Sequence, residues 1–190
     1  MIHMKIAIIS DVHNNETNLK KVLDYCIKKK IKKIICCGDL ASDETLDFMA
    51  DNFNPPGGGE IYYTFGNMDN EQLREFQYVD VYKNVRLFRD FGEMETDDVK
   101  PNGHGAKRVA FVHYPDKAKR LAESGKYDFV FHGHTHKPWT SIVQARRNQY
   151  IFSCTVLNPG NVAGEIYLPT FAVWNTQDDK FELIRIHSLN

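Results

Sequence analysis

Apolar residues fall along this chain in two alternating rhythms. Five short runs rich in β-branched and aromatic side chains read as buried strands: "KIAIIS" (5–10), "KKIICC" (32–37), "EIYYTF" (60–65), "RVAFVH" (108–113) and "YDFVFH" (127–132). Between the first two, Leu19, Val22, Leu23, Cys26 and Ile27 recur at helical spacing, the stripe of a helix packed on one face. Leu46, Met49, Ala50 and Phe53 repeat that stripe more weakly before the breaker "NPPGGG". Ala118, Leu121 and Ala122 repeat it again, with Pro115 near the helix start and Gly125 at its end. Strands alternating with crossover helices predict βαβ units and a largely parallel sheet.

The last third has another pattern. "TSIVQA", "QYIFSCTVL", "TFAVWN" and "KFELIRIH" are short strands joined by polar turns such as "NTQDDK", which predicts hairpins. Residues 86–107 are polar and broken by Gly and Pro, and read as a strand plus an irregular, mobile loop. The expected architecture is α/β, a stack of mixed sheets flanked by helices in a single domain over residues 1–190.

Composition narrows the partners. With 24 Lys and Arg against 25 Asp and Glu, the formal net charge is -1, so no global field favours nucleic acid or an anionic membrane. Lys28, Lys29, Lys30, Lys32 and Lys33 form the one basic run; it ends an amphipathic stretch and reads as a solvated helix end, with a phosphate-binding patch as the alternative. Cys26, Cys36, Cys37 and Cys154 lack zinc-finger spacing and read as core thiols of a reducing compartment. The start "MIHMKIAIIS" is too quickly polar for a signal peptide, and no apolar stretch reaches the roughly 18 residues of a membrane span. A soluble, cytoplasmic protein is expected.

Candidate chemistry lies where the polar residues fall. Each crossover-type strand ends in a small cluster: "SDVH" (10–13), "CGD" (37–39), "FGNMD" (65–69), "FVHY" (111–114) and "FHGHTH" (131–136). Open α/β sheets bind ligands outside the carboxyl ends of their strands. Asp11 and His13 are two apart in a segment read as extended, which would send both side chains to one side; His134 and His136 repeat the spacing. Two imidazoles with oxygens from Asp11, Asp39 and Asn67 make a mixed N/O donor set suited to Mn, Fe, Zn or Ni, and the absence of thiolate argues against structural zinc. Each signal alone is weak, since a lone "GD" is ordinarily a turn. Their joint order, D-x-H, GD, GN, H, GH-x-H, carries the weight.

In that order of motifs the sequence resembles the calcineurin-like metallophosphoesterase superfamily, and within it the small bacterial and archaeal phosphodiesterases. The likeness covers nearly the whole chain, including "LNPGN" (157–161), similar to the family's NPGS-like turn. It implies a four-layer α/β/β/α sandwich of two mixed sheets. It also implies that Asp11, His13, Asp39 and His136 hold one divalent metal, with Asp39 bridging to a second held by Asn67, His113 and His134. Manganese is the first expectation for both, with Ni, Fe or Zn as alternatives, and Asp39, Asn67 and His134 are the residues closest to the chemistry. Two such ions about 3.5 to 4 Å apart can hold a bridging hydroxide and clamp phosphorus for in-line displacement. No Ser or Cys stands in a nucleophile-elbow context.

The remaining candidates refine this picture. Met68 stands where many members carry a histidine that protonates the leaving oxygen, which a thioether cannot do. Small phosphodiesters with good leaving groups are therefore the expected substrates. His104 in a glycine-flanked loop reads as having no role, with substitute acid as the sharper alternative. His132 reads as structural, and His3 and His187 as uninvolved. Asn14 and Asn15 read as caps of the first helix, with phosphate contact as the alternative, and Asp69 as a support for Asn67 or its turn. The resemblance also implies that a homodimer is possible, since the family often forms dimers, and the sequence leaves the oligomeric state open. The rival class is an interaction scaffold of the same fold, like the Vps29-type subunit of the retromer complex, whose metal site is degraded. All seven ligand positions here keep ligating side chains.

Overall fold

The computed structural model describes residues 4–76, 82–96, 105–147 and 149–189. Its first half alternates strands and helices as the periodicity predicts. β1 (Lys5–Ile9), β2 (Lys33–Cys36) and β3 (Glu60–Thr64) are separated by α1 (Glu16–Lys28) and α2 (Asp43–Asn52). A short α3 (Glu71–Glu75) follows β3. β4 (Val85–Phe88), β5 (Gly92–Glu95), β6 (Arg108–Val112), α4 (Pro115–Glu123) and β7 (Phe129–His132) continue the chain. β8 (Trp139–Arg147), β9 (Tyr150–Asn158), β10 (Thr170–Asn175) and β11 (Lys180–Arg185) complete it.

The helices begin where the sequence supplies caps. Asn15 accepts from the Asn18 N–H at the start of α1, Ser42 accepts from Thr45 N–H before α2, and Asn70 accepts from Leu73 N–H before α3. Pro115 opens α4, and Gly125 follows that helix at φ +67. Lys28, Lys29 and Lys30 of the lysine run are exposed at the end of α1, while Lys33 opens β2 and pairs with Glu60 at 3.7 Å.

Two mixed sheets result. The first has the order β11-β10-β1-β2-β3-β4, with β1 to β4 parallel and the β10–β11 hairpin added antiparallel to β1. The second has the order β5-β6-β7-β9-β8, with β6, β7 and β9 parallel and antiparallel strands at both edges. The described part of 86–107 differs from the expected strand and loop, and residues 97–104 of that expected loop lie outside the described residues. Residues 85–95 supply two strands, β4 at the edge of the first sheet and β5 at the edge of the second. Met94 alone of β5's apolar positions enters the core, too weak a pattern to mark a strand in the sequence.

Strand alternation builds three apolar layers. Ala7 and Ile9 of β1 lie in the layer with α1 and α2, while Ile6 and Ile8 lie in the central layer with Trp174 of β10 and with Phe111, Phe129 and Phe131 of the second sheet. Ala110, Val112 and Val130 close the third layer under α4. Each fully buried aliphatic or aromatic side chain stabilises by roughly 1.5–3 kcal/mol, and the central layer is held from both sheets. Cys26, Cys36, Cys37 and Cys154 are all buried free thiols, and burial pushes Cys26 and Cys154 up to about 12. Among the described residues no helix is long and apolar enough to cross a membrane. The parallel connections leave the loops after β1, β2, β3, β6 and β7 on one edge, where the polar clusters lie.

Candidate metal centre

The backbone at that edge is not extended. Asp11, His13, Asp39, His134 and His136 adopt positive φ values of 54, 47, 59, 69 and 58°, and Asn14 and Ala41 join them at 59 and 86°. Such non-glycine conformations cost of order 1–3 kcal/mol each and persist only where the surroundings over-determine them. The expectation that Asp11/His13 and His134/His136 project together from extended segments is therefore corrected. They converge because each strand end turns sharply in the left-handed region. Backbone bonds pin the turns: Asp11 N–H donates to Gly38 O at 3.0 Å, Val12 N–H to Asp39 O at 2.8 Å, and His134 N–H to Asp11 Oδ2 at 3.1 Å.

The glycines of the GD, GN and GH pairs serve close approach. A Cβ on Gly66 would overlap the Asp39 carboxylate, and one on Gly133 would overlap Ser10 Oγ and crowd Asp11 Oδ2. One on Gly38, which is also at φ +98, would stand 2.7 Å from His113 Nδ1. Each glycine thus admits a functional side chain against the backbone of the neighbouring strand end.

All seven expected residues come together in two adjoining groups. In the first, His136 Nε2 lies 3.4 Å from Asp11 Oδ1, His13 Nε2 lies 3.9 Å from Asp11 Oδ1, and His13 Nε2 lies 3.7 Å from Asp39 Oδ2. In the second, His113 Nε2 lies 3.2 Å from Asp39 Oδ2, 3.1 Å from Asn67 Oδ1 and 3.1 Å from His134 Nδ1. His134 Nδ1 is 2.9 Å from Asn67 Oδ1. Asp39 Oδ2 faces both groups.

The far nitrogen of three of these histidines is held by an acceptor. His113 Nδ1 is 2.9 Å from Cys37 O, His13 Nδ1 is 2.8 Å from Glu165 Oε2, and His136 Nδ1 is 3.4 Å from Glu165 O. A proton on each Nδ1 leaves the Nε2 lone pair aimed into the cluster, the arrangement metal-ligating histidines adopt. In the second group the lone pairs of Asp39, Asn67 and His113 then face one another at contact distance. His13 Nε2 is buried without a hydrogen-bond partner. A divalent cation in each group would satisfy these acceptors, so the donor set fits the implied metals.

Without cations, protons take that role. The Asp39 carboxylate beside it raises His13 to about 9 against the opposing effect of burial, with Glu165 and Asp11 adding to the rise. At 3.7 Å the His13–Asp39 contact is an ion pair and not a hydrogen bond. Burial lowers His113, but Asp39 outweighs it and the net shift is upward; Asp11 raises His136. Burial opposes ionisation of Asp39, yet His113 and His13 hold its carboxyl well below the usual range.

Supporting residues divide into those the motifs suggested and those they missed. Asp69 accepts from Gly66 N–H at 2.6 Å and from Ala41 N–H at 2.9 Å, which staples the Asn67 turn to the Asp39 turn. Asn15 caps α1, and Asn14 accepts from the Thr45 hydroxyl at 2.7 Å, so both are engaged within the fold. Met68 N–H donates to Asp39 Oδ1 at 2.8 Å while its thioether stands at the rim, with the residue 54% exposed. Tyr114 is the N-cap of α4 at φ -85 and sets its ring edge against His113, so a side chain is accommodated there without strain. His132 is buried, lowered by burial, and packs edge-on to Trp139. His104 and His3 lie outside the described residues.

Glu165, Asn158 and Asn161 were not singled out. Asn161 Oδ1 accepts from Glu165 N–H at 3.0 Å and its amide donates to His136 O at 3.2 Å. Asn158 donates to Gly133 O at 2.9 Å. The "LNPGN" turn marks the two asparagines, but nothing local marks Glu165, whose partner His13 lies 152 positions away.

Comparison with known proteins identifies the family and the fold. The profile of the calcineurin-like phosphoesterase superfamily domain matches residues 4–179. The chain is 26% identical over 182 residues to phosphodiesterase MJ0936 of Methanocaldococcus jannaschii, covering 95% of this chain and 98% of that protein. It superposes on the structure of an archaeal phosphodiesterase with a TM-score of 0.73 at 27% identity, covering 96% of this chain and 99% of the other. Vps29 of Entamoeba histolytica in complex with zinc shares the fold at a TM-score of 0.59 and 16% identity, over 96% of this chain and 99% of that one. The chain belongs to the calcineurin-like phosphoesterase superfamily.

Proposed function

We propose that this protein is a metal-dependent phosphodiesterase whose site holds two divalent ions, manganese foremost, with nickel, iron or zinc as alternatives. The observation that carries this reading is the second cluster, where Asp39 Oδ2, Asn67 Oδ1 and His134 Nδ1 all stand within 3.2 Å of His113 Nε2. When bound, two such ions supply Lewis acidity and a hydroxide nucleophile at neutral pH for in-line displacement at phosphorus.

The chain's own residues set the conditions. Asp11, His13, Asp39 and His136 hold one ion, and Asp39, Asn67, His113 and His134 the other. Asp11 and Asp39 contribute two negative charges against four positive, which leaves the site cationic toward a phosphate anion. Glu165, Asp69 and Cys37 O fix the ligands before substrate arrives. Met68 at the rim offers no transferable proton, so diesters that leave without protonation are the favoured substrates.

The rival reading is an interaction scaffold of the same fold, and the gathering of all seven ligating side chains in two groups favours the enzyme. Bis-p-nitrophenyl phosphate turnover with added manganese separates the two. Turnover that depends on about two bound ions per chain supports the enzyme, and metal binding without turnover supports the scaffold.

A further inference from the structure

Beside the His136 cluster opens a cleft of about 480 Å³ lined by Thr135, Lys137, Trp139 and Tyr167. That volume lies in the 300–1,000 Å³ range of small-molecule sites. Its walls are continuous with the ligand loops. Thr135 and Lys137 flank His136 in sequence, and Tyr167 follows two residues after Glu165, the partner of His13.

Both aromatic walls sit on fixed backbone. Trp139 begins β8 paired with Asn158, and the His132 ring stands edge-on to its indole at 5.8 Å. Tyr167 O accepts from the Asn161 amide, and Tyr167 N–H donates to Glu165 O at 2.7 Å. Trp139 is nevertheless 43% exposed and Tyr167 40% exposed, a large aromatic surface left to solvent beside the loops that carry His136 and Glu165. Lys137 is exposed, and among the described residues no carboxylate lies within ion-pair distance of it. Thr135 Oγ1 accepts from the Asn158 amide at 3.0 Å, which leaves its own proton free to donate.

We propose that this cleft holds the nucleoside of a short nucleotide substrate, its base against Trp139 and Tyr167 and a further phosphate at Lys137 and Thr135. The proposal rests on the phosphodiesterase reading and names its substrate class. A flat aromatic surface suits a base of any sequence, because every base has a π-face. The unpartnered Lys137 selects for a second anion and against cationic headgroups such as choline. A net charge of -1 gives no field for a long polymer, so a di- or oligonucleotide end fits and a duplex does not.

The test is calorimetric binding to the manganese-loaded protein. The probes are thymidine 3′,5′-bisphosphate, thymidine 3′-phosphate, glycerophosphocholine and inorganic phosphate. The bisphosphate should bind most tightly. Trp139→Ala should weaken it about 5- to 150-fold, the usual contribution of one stacked base. Lys137→Met should reduce it to the level of the 3′-monophosphate, and Tyr167→Ala should act as Trp139→Ala does. Wild-type affinity in Trp139→Ala, or glycerophosphocholine binding as well as the bisphosphate, overturns the proposal. Bis-p-nitrophenyl phosphate turnover in the same preparations reads the underlying function separately. Turnover with no effect of these substitutions on binding sinks the cleft alone, and nucleotide binding without turnover under any metal sinks the phosphodiesterase reading alone.

Discussion

Glu165 accepts the Nδ1 proton of His13 at 2.8 Å, across 152 positions of sequence. The bond fixes the ring and its tautomer and turns the Nε2 lone pair inward. Glu165→Ala should therefore weaken metal binding at the His13 group by about 10- to 100-fold. Manganese titration followed by calorimetry checks this, with Glu165→Gln expected to lose less because its amide oxygen still accepts. Equal affinity in Glu165→Ala and wild type would remove the residue from the site.

Gly66 leaves room for the Asp39 carboxylate, and any Cβ there overlaps it. Gly66→Ala should cost about 1–3 kcal/mol of stability as overpacking and disturb the shared ligand as well. Gly105→Ala, where a Cβ meets nothing within 4 Å among the described residues, is the control and should stay within about 0.5 kcal/mol of wild type. Denaturant unfolding without metal measures both. A Gly66→Ala protein as stable as the control, with unchanged metal affinity, would contradict the packing argument.

The metal-free site binds protons that a metal must displace. His13, raised to about 9 beside Asp39, contributes stability that is fully present below its ordinary value of 6.5 and lost as pH rises through about 9. Cations need the same nitrogen deprotonated, so their apparent affinity should climb across that window. The thermal shift on adding manganese should grow from pH 6.5 to 9, with proton release on binding at the lower end. A shift that shrinks over this range would refute the assignment of His13 as a ligand.

Met68 occupies the rim with its backbone tied to Asp39. Met68→His restores a proton donor at a half-exposed position without disturbing a buried side chain. Hydrolysis of diesters with poor, alkyl leaving groups should rise by up to about 10², and p-nitrophenyl leaving groups should gain little. The slope of log kcat/KM against leaving-group pKa measures the difference. Equal gains across leaving groups would count against a missing acid.

The legible part of this protein is the part written in local patterns. The strands of residues 5–9, 33–36, 60–64, 108–112 and 129–132 carry enough β-branched and aromatic residues to declare themselves, and α1 carries both a stripe and a cap. The seven ligand candidates were visible because each sits just past such a strand. Three features were not. β5 has a single core-facing methionine and a glycine, so its strand character comes from pairing with β6 and not from its own sequence. The positive φ of Asp11, His13, His134 and His136 arises from tertiary bonds that local propensity opposes. Glu165 was silent because its only signal is a partner brought near by the fold.

The central claim is that the acceptors gathered around Asp39 exist to hold two divalent ions for diester hydrolysis. Bis-p-nitrophenyl phosphate turnover, measured while manganese is titrated into metal-free protein, tests it most directly. The account predicts activity that rises with added metal, saturates near two ions per chain, and is lost in Asp39→Asn. Turnover that is absent with every divalent metal, or that persists without metal or in Asp39→Asn, would contradict it.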